Sequence, residues 1–393
     1  MNALGDSQNS LSRGVNILPL EILRKKKSVK WQNIPKDVLP LPVAEMDFEI
    51  DESIKDTIIN MIADSDTGYL GNVPELFNSF AQFGKTRWNW ETNPELIYTC
   101  TDVGVGMVEI SRQLLSKGDQ VLINSPVYNN FYSWIEELEC SVLDIPLLND
   151  SLDYKLDINK ITDAYQKGVK VHYLCNPQNP VGAVHSKSEL EAIAELAAQY
   201  GVVVLSDEIH APLTFSEKKF HPFLNVSPTA AEVGITVTSA SKSWNLAGLK
   251  CALIVVASEK MKEVASKMPF AVHYRASLIG AFAQVEAWRA INWLDQALVT
   301  LDENRKYLDE ILKDKLPKVK YRIPDASYLA WLDFSEYGVS EEISSYLEKE
   351  AKVLLSAGTF YDPKATQFAR LNFATSKEII NQAISSMAKA LPK

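Results

Sequence analysis

The residue best suited to covalent chemistry in this sequence is Lys242, which lies among small hydroxyl residues in the segment Thr238-Ser-Ala-Ser-Lys-Ser-Trp244. The segment follows the apolar, β-branched run Ile235-Thr-Val-Thr238, which is typical of a strand. A lysine amine at a strand end with little bulk around it is accessible to an aldehyde. Ser239 and Ser241 offer hydroxyl groups to a phosphate. A solvated loop lysine is the alternative reading, but three upstream segments favour the chemical one.

The first of these segments, Ser206-Asp-Glu-Ile-His210, directly follows the apolar run Val202-Val-Val-Leu205. Four apolar residues without alternation predict a strand buried on both faces, as in a parallel sheet. Such strands carry ligand groups at their carboxyl ends, where Asp207 stands. A carboxylate there would keep a pyridine nitrogen protonated, and the protonated ring is the electron sink of pyridoxal phosphate (PLP). The alternatives are that Asp207 caps a helix, or that it binds a metal with Glu208 and His210.

The other two segments suit a phenolic oxygen and a phosphate. In Cys175-Asn-Pro-Gln-Asn-Pro-Val-Gly182 the two Asn-Pro pairs predict a rigid turn, in which the Asn179 amide is held still. In Asp102-Val-Gly-Val-Gly-Met-Val108 glycines open a helix, and a helix N-terminus attracts anions. Glu109 occupies the place of the third glycine of a dinucleotide fingerprint, so the sequence favours a phosphate cradle over a nicotinamide site.

Taken in order, these segments resemble the fold-type I PLP enzymes of the aspartate aminotransferase superfamily. Within it the chain is similar to the cystathionine β-lyase (C–S lyase) branch, which is related to the bacterial maltose-regulon modulator protein. The resemblance spans nearly the whole chain, and the residues that carry it are Val43-Ala-Glu-Met-Asp-Phe48, Asn176-Pro-Gln-Asn-Pro-Val-Gly182, Ser206-Asp-Glu-Ile-His210, Ser241-Lys-Ser-Trp-Asn-Leu-Ala-Gly-Leu249 and Phe368-Ala-Arg-Leu-Asn-Phe373.

The resemblance implies an α/β fold, the PLP-dependent transferase fold (type I). A large domain would hold a mainly parallel seven-stranded sheet between helices, beside a smaller α+β domain. We expect an N-terminal arm with part of the small domain in residues 1–47, the large PLP-binding domain in 48–286 and the small C-terminal domain in 287–393. The expected strands are 120–124, 170–174, 202–206, 235–238 and 252–256, and 327–334 and 369–373 in the small domain. Ser186 and Glu189 predict a capping box, and a long helical stretch runs from 287 to about 316.

Length and composition agree with this picture. A chain of 393 residues with 46% hydrophobic residues predicts two domains with a sizeable interior. The net charge of −10 argues against binding to nucleic acid or to anionic membranes, and the basic run Arg24-Lys-Lys-Lys27 is the exception. The sequence has no 18-residue apolar run and no signal core. Its four widely spaced cysteines are typical of buried thiols in a reducing compartment, so we expect a cytoplasmic protein without a metal site.

The resemblance assigns roles to residues at matching positions. Lys242 would bind the cofactor aldehyde covalently and then act as the base at the substrate Cα. Asp207 would pair with the pyridine nitrogen, and Asn179 and His210 would contact the ring oxygen. Tyr128 would stack on the cofactor face, although a core tyrosine is the alternative.

The phosphate and the substrate have their own candidates. The phosphate would be held by the backbone N–H groups of Val105 and Gly106, by Ser239 and Ser241, and by Lys250, which could instead be a solvated lysine. Tyr69, in Thr67-Gly-Tyr-Leu-Gly71, would reach the phosphate of the neighbouring subunit, so the resemblance implies a homodimer with shared active sites. Arg370 would bind the substrate carboxylate, and the segment around Ala44 would line the substrate side.

Some positions depart from the branch. It usually has tryptophan where Pro42 stands and aspartate where Glu45 stands, so the substrate's side chain stays open. His273-Tyr-Arg275 has no match in the pattern; Arg275 could contact a substrate side chain or be a surface residue. Two activities also stay open. The chain could be a C–S lyase that cleaves cystathionine or a related cysteine S-conjugate by α,β-elimination to a thiol, pyruvate and ammonia. It could instead be a class I/II aminotransferase acting on an amino-acid substrate, and a regulatory binding protein on the same fold is a third possibility.

Overall fold

The computed structural model describes residues 14–393, so the first thirteen residues of the expected N-terminal arm lie outside the described part. Fifteen strands occur in it. In chain order they are β1 (Leu39–Pro40), β2 (Ile97–Cys100), β3 (Gln120–Ile123), β4 (Ser141–Asp144), β5 (Leu148–Asp150), β6 (Asp153–Lys155), β7 (Val171–Cys175), β8 (Val203–Asp207), β9 (Gly234–Thr238), β10 (Ala252–Val255), β11 (Lys320–Tyr321), β12 (Leu329–Asp333), β13 (Val353–Leu354), β14 (Ser356–Ala357) and β15 (Phe368–Asn372).

The α-helices of the described residues range from single turns to a rod of 25 residues. In chain order they are α1 (Leu20–Leu23), α2 (Glu52–Ala63), α3 (Pro74–Trp88), α4 (Val103–Ser111), α5 (Asn130–Glu137), α6 (Ile158–Gln166), α7 (Lys187–Tyr200), α8 (Pro228–Val233), α9 (Glu259–Ser266), α10 (Ala271–Tyr274), α11 (Leu278–Arg289), α12 (Ile291–Lys315), α13 (Ile343–Tyr346) and α14 (Lys377–Ala390).

The chain divides into two compact units, and the larger comprises Ile50–Gln178 and Ala183–Ala290. Its core is a seven-stranded sheet in the order β2-β10-β9-β8-β7-β3-β4. Only β10 runs antiparallel to its neighbours. The central strands β7, β8 and β9 are buried throughout, as their continuous apolar sequences predict. Because the other six strands share one direction, their carboxyl ends meet at one edge of the sheet, where polar loops follow.

Local signals in the sequence fix the ends of the helices around this sheet. The capping box predicted at the start of α7 is present: Ser186 accepts from Glu189 N, and the Glu189 carboxylate accepts from Ser186 N. Gly201 ends α7 with a φ of +73°, which favours glycine. At the starts of α4 and α11, the side chains of Asp102 and Ser277 accept from Val105 N and Gly280 N.

The described part of the smaller unit comprises residues 14–49, Asn179–Gly182 and Ile291–Lys393. It contains an antiparallel sheet in the order β11-β12-β15-β14, with the long helix α12 and the C-terminal helix α14. The short segment Asn179–Gly182 belongs to this unit and ends at Gly182, whose φ is +67°. A Cβ placed on Gly182 would lie 2.3 Å from Pro324 Cβ. Only glycine fits there, because both the backbone angle and the space exclude a side chain.

A fully buried ion pair anchors the N-terminal segment of this smaller unit. Lys30 Nζ lies 2.9 Å from Asp47 Oδ2, and both side chains are inaccessible to solvent. Trp31 Nε1 donates to the other Asp47 oxygen at 2.9 Å. A buried pair with all its hydrogen bonds made is costly to break, because removing one partner leaves the other charged in a medium of low polarity.

The predicted fold class is confirmed: the large sheet has seven strands and is mainly parallel, and the small unit is α+β. Five expected strands correspond to β3, β7, β8, β9 and β10 within one or two residues at each end. Two strands of the large sheet, β2 and β4, were not predicted. The long helical stretch expected from residue 287 is broken at Ala290, where α11 has ended and α12 begins.

Candidate active site

Lys242 and Asp207 are brought together at the carboxyl edge of the large sheet. Asp207 is the last residue of β8, only 4% exposed, and it accepts a hydrogen bond from Ile209 N at 3.1 Å. Lys242 lies in the turn after β9, the strand next to β8, and its charge acts on the Asp207 carboxyl group. Burial raises the pKa of Asp207 to about 7, and the Ile209 hydrogen bond and Lys242 oppose that rise only in part.

Glu208 and His210 are the residues that the sequence offered as partners of Asp207 in a metal site, and both are buried. Glu208 is buried beside Asp207, but its Oε1 accepts from Ser206 Oγ at 2.9 Å and from Phe223 N at 2.8 Å. Burial raises the pKa of Glu208 to about 8. His210 is 3% exposed. Within residues 14–393 no three His, Cys, Asp or Glu side chains are grouped so that they could hold a metal ion.

The loop 239–241, which precedes Lys242, is hydrogen-bonded to Gln284 of α11. Gln284 was not predicted as a site residue. Ala240 N donates to Gln284 Oε1 at 3.2 Å, and Gln284 Nε2 donates to Ser239 Oγ at 3.2 Å. Ser239 Oγ lies 2.7 Å from Ser241 Oγ and donates to Cys251 O, also at 2.7 Å. The two predicted phosphate hydroxyls are therefore adjacent, and Gln284 of α11 and the Cys251 carbonyl hold Ser239 in place.

The glycine-rich start of α4 lies at the same edge, and its own Asp102 serves as the cap. Val105 N donates to Asp102 Oδ1 at 2.9 Å, and Gly106 N donates to Asp102 O at 3.0 Å. The N–H groups of Val103 and Gly104 have no acceptor within residues 14–393. Lys250 Nζ lies 3.1 Å from Asp102 Oδ2. The predicted donors Val105 and Gly106 are thus already engaged, and their role toward a phosphate stays a prediction.

Gly106 allows α4 to approach the sheet closely. A Cβ on Gly106 would lie 2.9 Å from Val237 Cγ1 and 3.0 Å from Cys100 Sγ, closer than such atoms pack. The half-buried Tyr128, predicted to stack on the cofactor, begins the segment that leads into α5. Its hydroxyl accepts from Asn130 Nδ2 at 3.0 Å, and its ring packs edge-on against Trp134 with centroids 5.8 Å apart. The phosphate loop is therefore packed on the large sheet, and the Tyr128 ring is packed on α5.

Tyr69 stands apart from these groups, in an exposed turn between α2 and α3. It is 87% exposed, and its ring packs edge-on against Tyr274 with centroids 6.5 Å apart. Phe270, 74% exposed, also packs edge-on against Tyr274, with ring centroids 4.7 Å apart. Arg275 follows Tyr274 and is exposed. The three aromatic side chains form one outward-facing patch on the larger unit, which we call the Tyr69 patch.

Within the smaller unit, Arg370 and Asn179 are in direct contact. Arg370 lies in β15 between β12 and β14 and is 5% exposed. Its NH1 donates to Asn179 Oδ1 at 3.0 Å and its NH2 donates to Pro42 O at 2.7 Å, while the guanidinium covers the Tyr361 ring at 4.8 Å. Arg370 Nε is buried and has no hydrogen-bond partner within residues 14–393. A buried guanidinium with an unused donor suits a carboxylate ligand.

The segment around Ala44 is fixed through its carbonyl groups by side chains of the same unit. Asn372 Nδ2 donates to Val43 O at 2.7 Å and to Glu45 O at 2.6 Å. Tyr328 OH donates to Ala44 O at 3.0 Å. With Arg370 on Pro42 O, four consecutive carbonyls are bound. Asn372 and Tyr328 were not predicted as site residues, although Asn372 belongs to the quoted Phe368-Ala-Arg-Leu-Asn-Phe373 segment.

The residues present fit PLP. The buried Asp207 carboxyl has a raised pKa because its anion lacks sufficient compensation, and a protonated pyridine nitrogen would supply that compensation. Lys242 lies near enough to Asp207 to lower the pKa of its carboxyl group, and a lysine that binds the cofactor aldehyde must lie near that carboxyl group. Unused N–H donors at the start of α4, with Ser239, Ser241 and Lys250, suit a phosphate.

The basic run noted in the sequence lies elsewhere. It lines an open cavity of about 890 Å³ in the smaller unit, formed by residues between Pro19 and Lys36, among them Arg24, Lys25, Lys26 and Lys27. None of the predicted site residues lines this cavity. No helix within residues 14–393 combines the length and apolar character needed to cross a membrane.

Comparison with known proteins identifies the family to which the chain belongs. The family model for aminotransferase class I and II matches residues 36–387. The chain therefore belongs to this family of PLP-dependent enzymes. Among individual proteins it is similar to a putative cystathionine β-lyase of Mycobacterium tuberculosis (strain H37Rv), with 38% identity over 95% of this chain and 97% of that protein.

Two further comparisons point to the same branch. The cystathionine β-lyase PatB of Bacillus subtilis (strain 168) is 32% identical over 93% of this chain and 97% of its own. The crystal structure of a putative PLP-dependent β-cystathionase from Corynebacterium diphtheriae superimposes with a TM-score of 0.91 at 31% identity, covering 96% of this chain and 99% of that one. The predicted resemblance to the superfamily is confirmed.

The raised pKa of Asp207 generates a prediction for the protein freed of cofactor. A folded-state pKa of about 7, against an ordinary 3.8, means that the native state holds this proton while the unfolded state loses it. Stability should therefore fall as pH rises from about 4 to 7. Asp207→Asn removes that loss, so urea unfolding at pH 8 should show this variant more stable than the parent, by on the order of 2–4 kcal/mol, with a smaller difference at pH 4.5.

Asp47→Asn is the matched control. It removes another buried carboxylate, but one paired with Lys30, so it should lower the free energy of unfolding by about 3–5 kcal/mol. If the difference in free energy of unfolding between Asp207→Asn and the parent did not change with pH, the raised pKa of Asp207 would be contradicted.

Proposed function

We propose that the protein is a PLP-dependent C–S lyase that cleaves cystathionine or a related cysteine S-conjugate by α,β-elimination. The observation that carries the chemistry is the buried Asp207 carboxyl beside Lys242, and the observation that favours this reaction is full-length similarity to proteins named cystathionine β-lyases. Bound PLP supplies the electron sink that makes the substrate Cα–H acidic. The protein's own residues bind, orient and move protons.

In this proposal Lys242 has two tasks: it would hold the cofactor aldehyde, and its amine would take the proton from the substrate Cα. Asp207 would keep the pyridine nitrogen protonated. Asn179 and His210 would hydrogen-bond the ring oxygen, and Tyr128 would stack on the ring. The Cβ–S bond breaks with its electron pair on sulfur, so the thiolate leaves and takes up a proton. Aminoacrylate is released, and water converts it to pyruvate and ammonia.

Substrate binding is assigned to the smaller unit. Arg370, with its unused Nε donor, binds the α-carboxylate, and the carbonyl-anchored segment around Ala44 lines the substrate side. Val105, Gly106, Ser239, Ser241 and Lys250 are assigned to the cofactor phosphate. None of the four cysteines forms a disulfide within residues 14–393, which supports a reducing, cytoplasmic location.

We also propose an obligate homodimer in which Tyr69 completes the phosphate site of the partner. The Tyr69 patch supports this assembly, since large exposed apolar clusters mark interaction surfaces. A two-fold interface is self-complementary, so both shared sites would form together.

The reaction is tested by mixing the purified holoenzyme with cystathionine in the absence of any keto acid. Pyruvate and ammonia should appear in equal amounts, and Lys242→Ala should abolish their release while borohydride no longer fixes cofactor to the chain. If cystathionine is consumed only when a keto acid is added, and its amino group is transferred to that keto acid, the protein is an aminotransferase instead. No turnover under either condition, despite cofactor fixed on Lys242, would favour a regulatory binding protein.

The assignment of Arg370 predicts a selective loss of substrate binding. Arg370→Ala should weaken substrate binding by roughly 2–5 kcal/mol, because a buried charge pair is lost; the KM for cystathionine would then rise at least ~30-fold. Affinity for PLP should change little, and Arg370→Lys should restore binding only in part. Arg305→Ala is the control: this buried arginine donates to Asp302 and to Pro324 O, so its loss should lower thermal stability without a selective effect on KM.

The shared site predicts complementation between two impaired subunits. Co-expressed, differently tagged Tyr69→Ala and Lys242→Ala chains should form a mixed dimer in which one site has both residues and the other has neither. Its activity should exceed that of both parent homodimers. If Tyr69→Ala alone is clearly impaired and the mixed dimer is no more active than the better parent, then Tyr69 acts in its own subunit.

A further inference from the structure

The turn that carries Tyr69 is held by few contacts. A Cβ on Gly68 or Gly71 would meet no atom within 4 Å, so neither glycine is packed against the protein. Leu70 is buried, but the residues on either side of it are exposed. In residues 14–393, the only hydrogen bond that reaches any atom of 68–72 is the one from His273 Nε2 to Gly71 O, at 3.1 Å.

The other ring nitrogen of His273 is bonded to the large sheet. Nδ1 pairs with Thr99 Oγ1, whose residue lies in β2 and is 2% exposed. Because Gly71 O can only accept, Nε2 carries a proton, and in the neutral ring the Thr99 hydroxyl then donates to Nδ1. The imidazole thus bridges a rigid buried strand to an otherwise loosely held turn.

Neighbouring residues reinforce this bridge. Tyr274, next along α10, packs edge-on against the Tyr69 ring. Four residues after His273, Ser277 N donates to Lys250 O at 2.9 Å. Thr99 is three residues before Asp102, which pairs with Lys250. His273 therefore ties the Tyr69 turn to the same strand and loop that carry the subunit's own phosphate candidates.

We propose that His273 is a positioning residue that sets the height and direction of Tyr69 for the active site of the partner subunit. The inference deepens the proposed function and rests on its assignment of Tyr69 to the partner's phosphate. It has a particular consequence: loss of the bridge should impair the site of the other subunit and leave the site of its own subunit intact.

Cofactor affinity gives the first test, measured by titrating cofactor-free protein with PLP. His273→Ala and Thr99→Val should each weaken PLP binding about three- to tenfold, as expected for one hydrogen bond, and the double variant should be no worse than the single ones. His273→Gln, which keeps a donor and an acceptor, should recover part of the loss. His221→Ala is the control, a histidine to alanine change in the same unit away from the turn.

Measurements in the Tyr69→Ala background distinguish a role of His273 that acts through Tyr69 from a structural role unrelated to Tyr69. If His273 acts through Tyr69, His273→Ala should have no further effect on PLP affinity once Tyr69 is gone. A further three- to tenfold loss there would show a structural role unrelated to Tyr69 and overturn the inference. Unchanged PLP affinity in Tyr69→Ala itself would instead refute the assignment of Tyr69 in the proposed function.

Mixed dimers give the decisive arrangement, because only one site in each retains Lys242. Pairing a His273→Ala chain with a Lys242→Ala chain leaves the working site served by a turn with intact His273, so activity should equal that of a parent/Lys242→Ala dimer. Pairing a parent chain with a His273→Ala/Lys242→Ala chain gives the working site a turn without its bridge, and activity at limiting PLP should fall three- to tenfold. The reverse pattern, or equal activities, would overturn the inference.

Discussion

The interaction on which the rest of the site depends is the burial of one carboxyl group at the end of a buried strand. Asp207 is removed from water by β7 and β9 on either side of β8, and burial raises its pKa to about 7. A carboxylate in such a place is stable as an anion only beside a cation. Lys242 is one such cation, and in the proposed function the protonated ring of PLP would be the second. The electrostatic cost of burying Asp207 would then favour a cationic ring at this place.

Much of this arrangement could be predicted from sequence, because its signals are local. Buried parallel strands appear as unbroken apolar runs, and the residue after each run then marks the carboxyl edge of the sheet. That is how β8 located Asp207 and β9 located Lys242. The strand β4 lacks such a run: Ser141–Asp144 is an edge strand with no fully buried residue, so nothing in its pattern distinguished it.

The parts that sequence did not predict are contacts between a side chain and a distant backbone. Tyr328 reaches the Ala44 carbonyl across 284 residues, and Gln284 holds the Ala240 amide across 44. No residue type or spacing announces such a pair, since every peptide group offers the same partner atoms. The start of α4 shows a different limit. Its glycines predicted an anion site, but the Asp102 carboxylate caps the same helix and already accepts from the Val105 amide.

The segment from Pro42 to Glu45 is held through four main-chain oxygens, which every amino acid provides. Its anchorage is therefore independent of which side chains it carries, and the side chains of Pro42, Val43 and Glu45 are only partly buried. Substitutions in this strip therefore leave the hydrogen bonds to its main-chain oxygens in place. The two departures from the related branch, at Pro42 and Glu45, fall in this strip. In the proposed function this strip lines the substrate side, so substrate preference could change there while the backbone anchorage of the strip is kept.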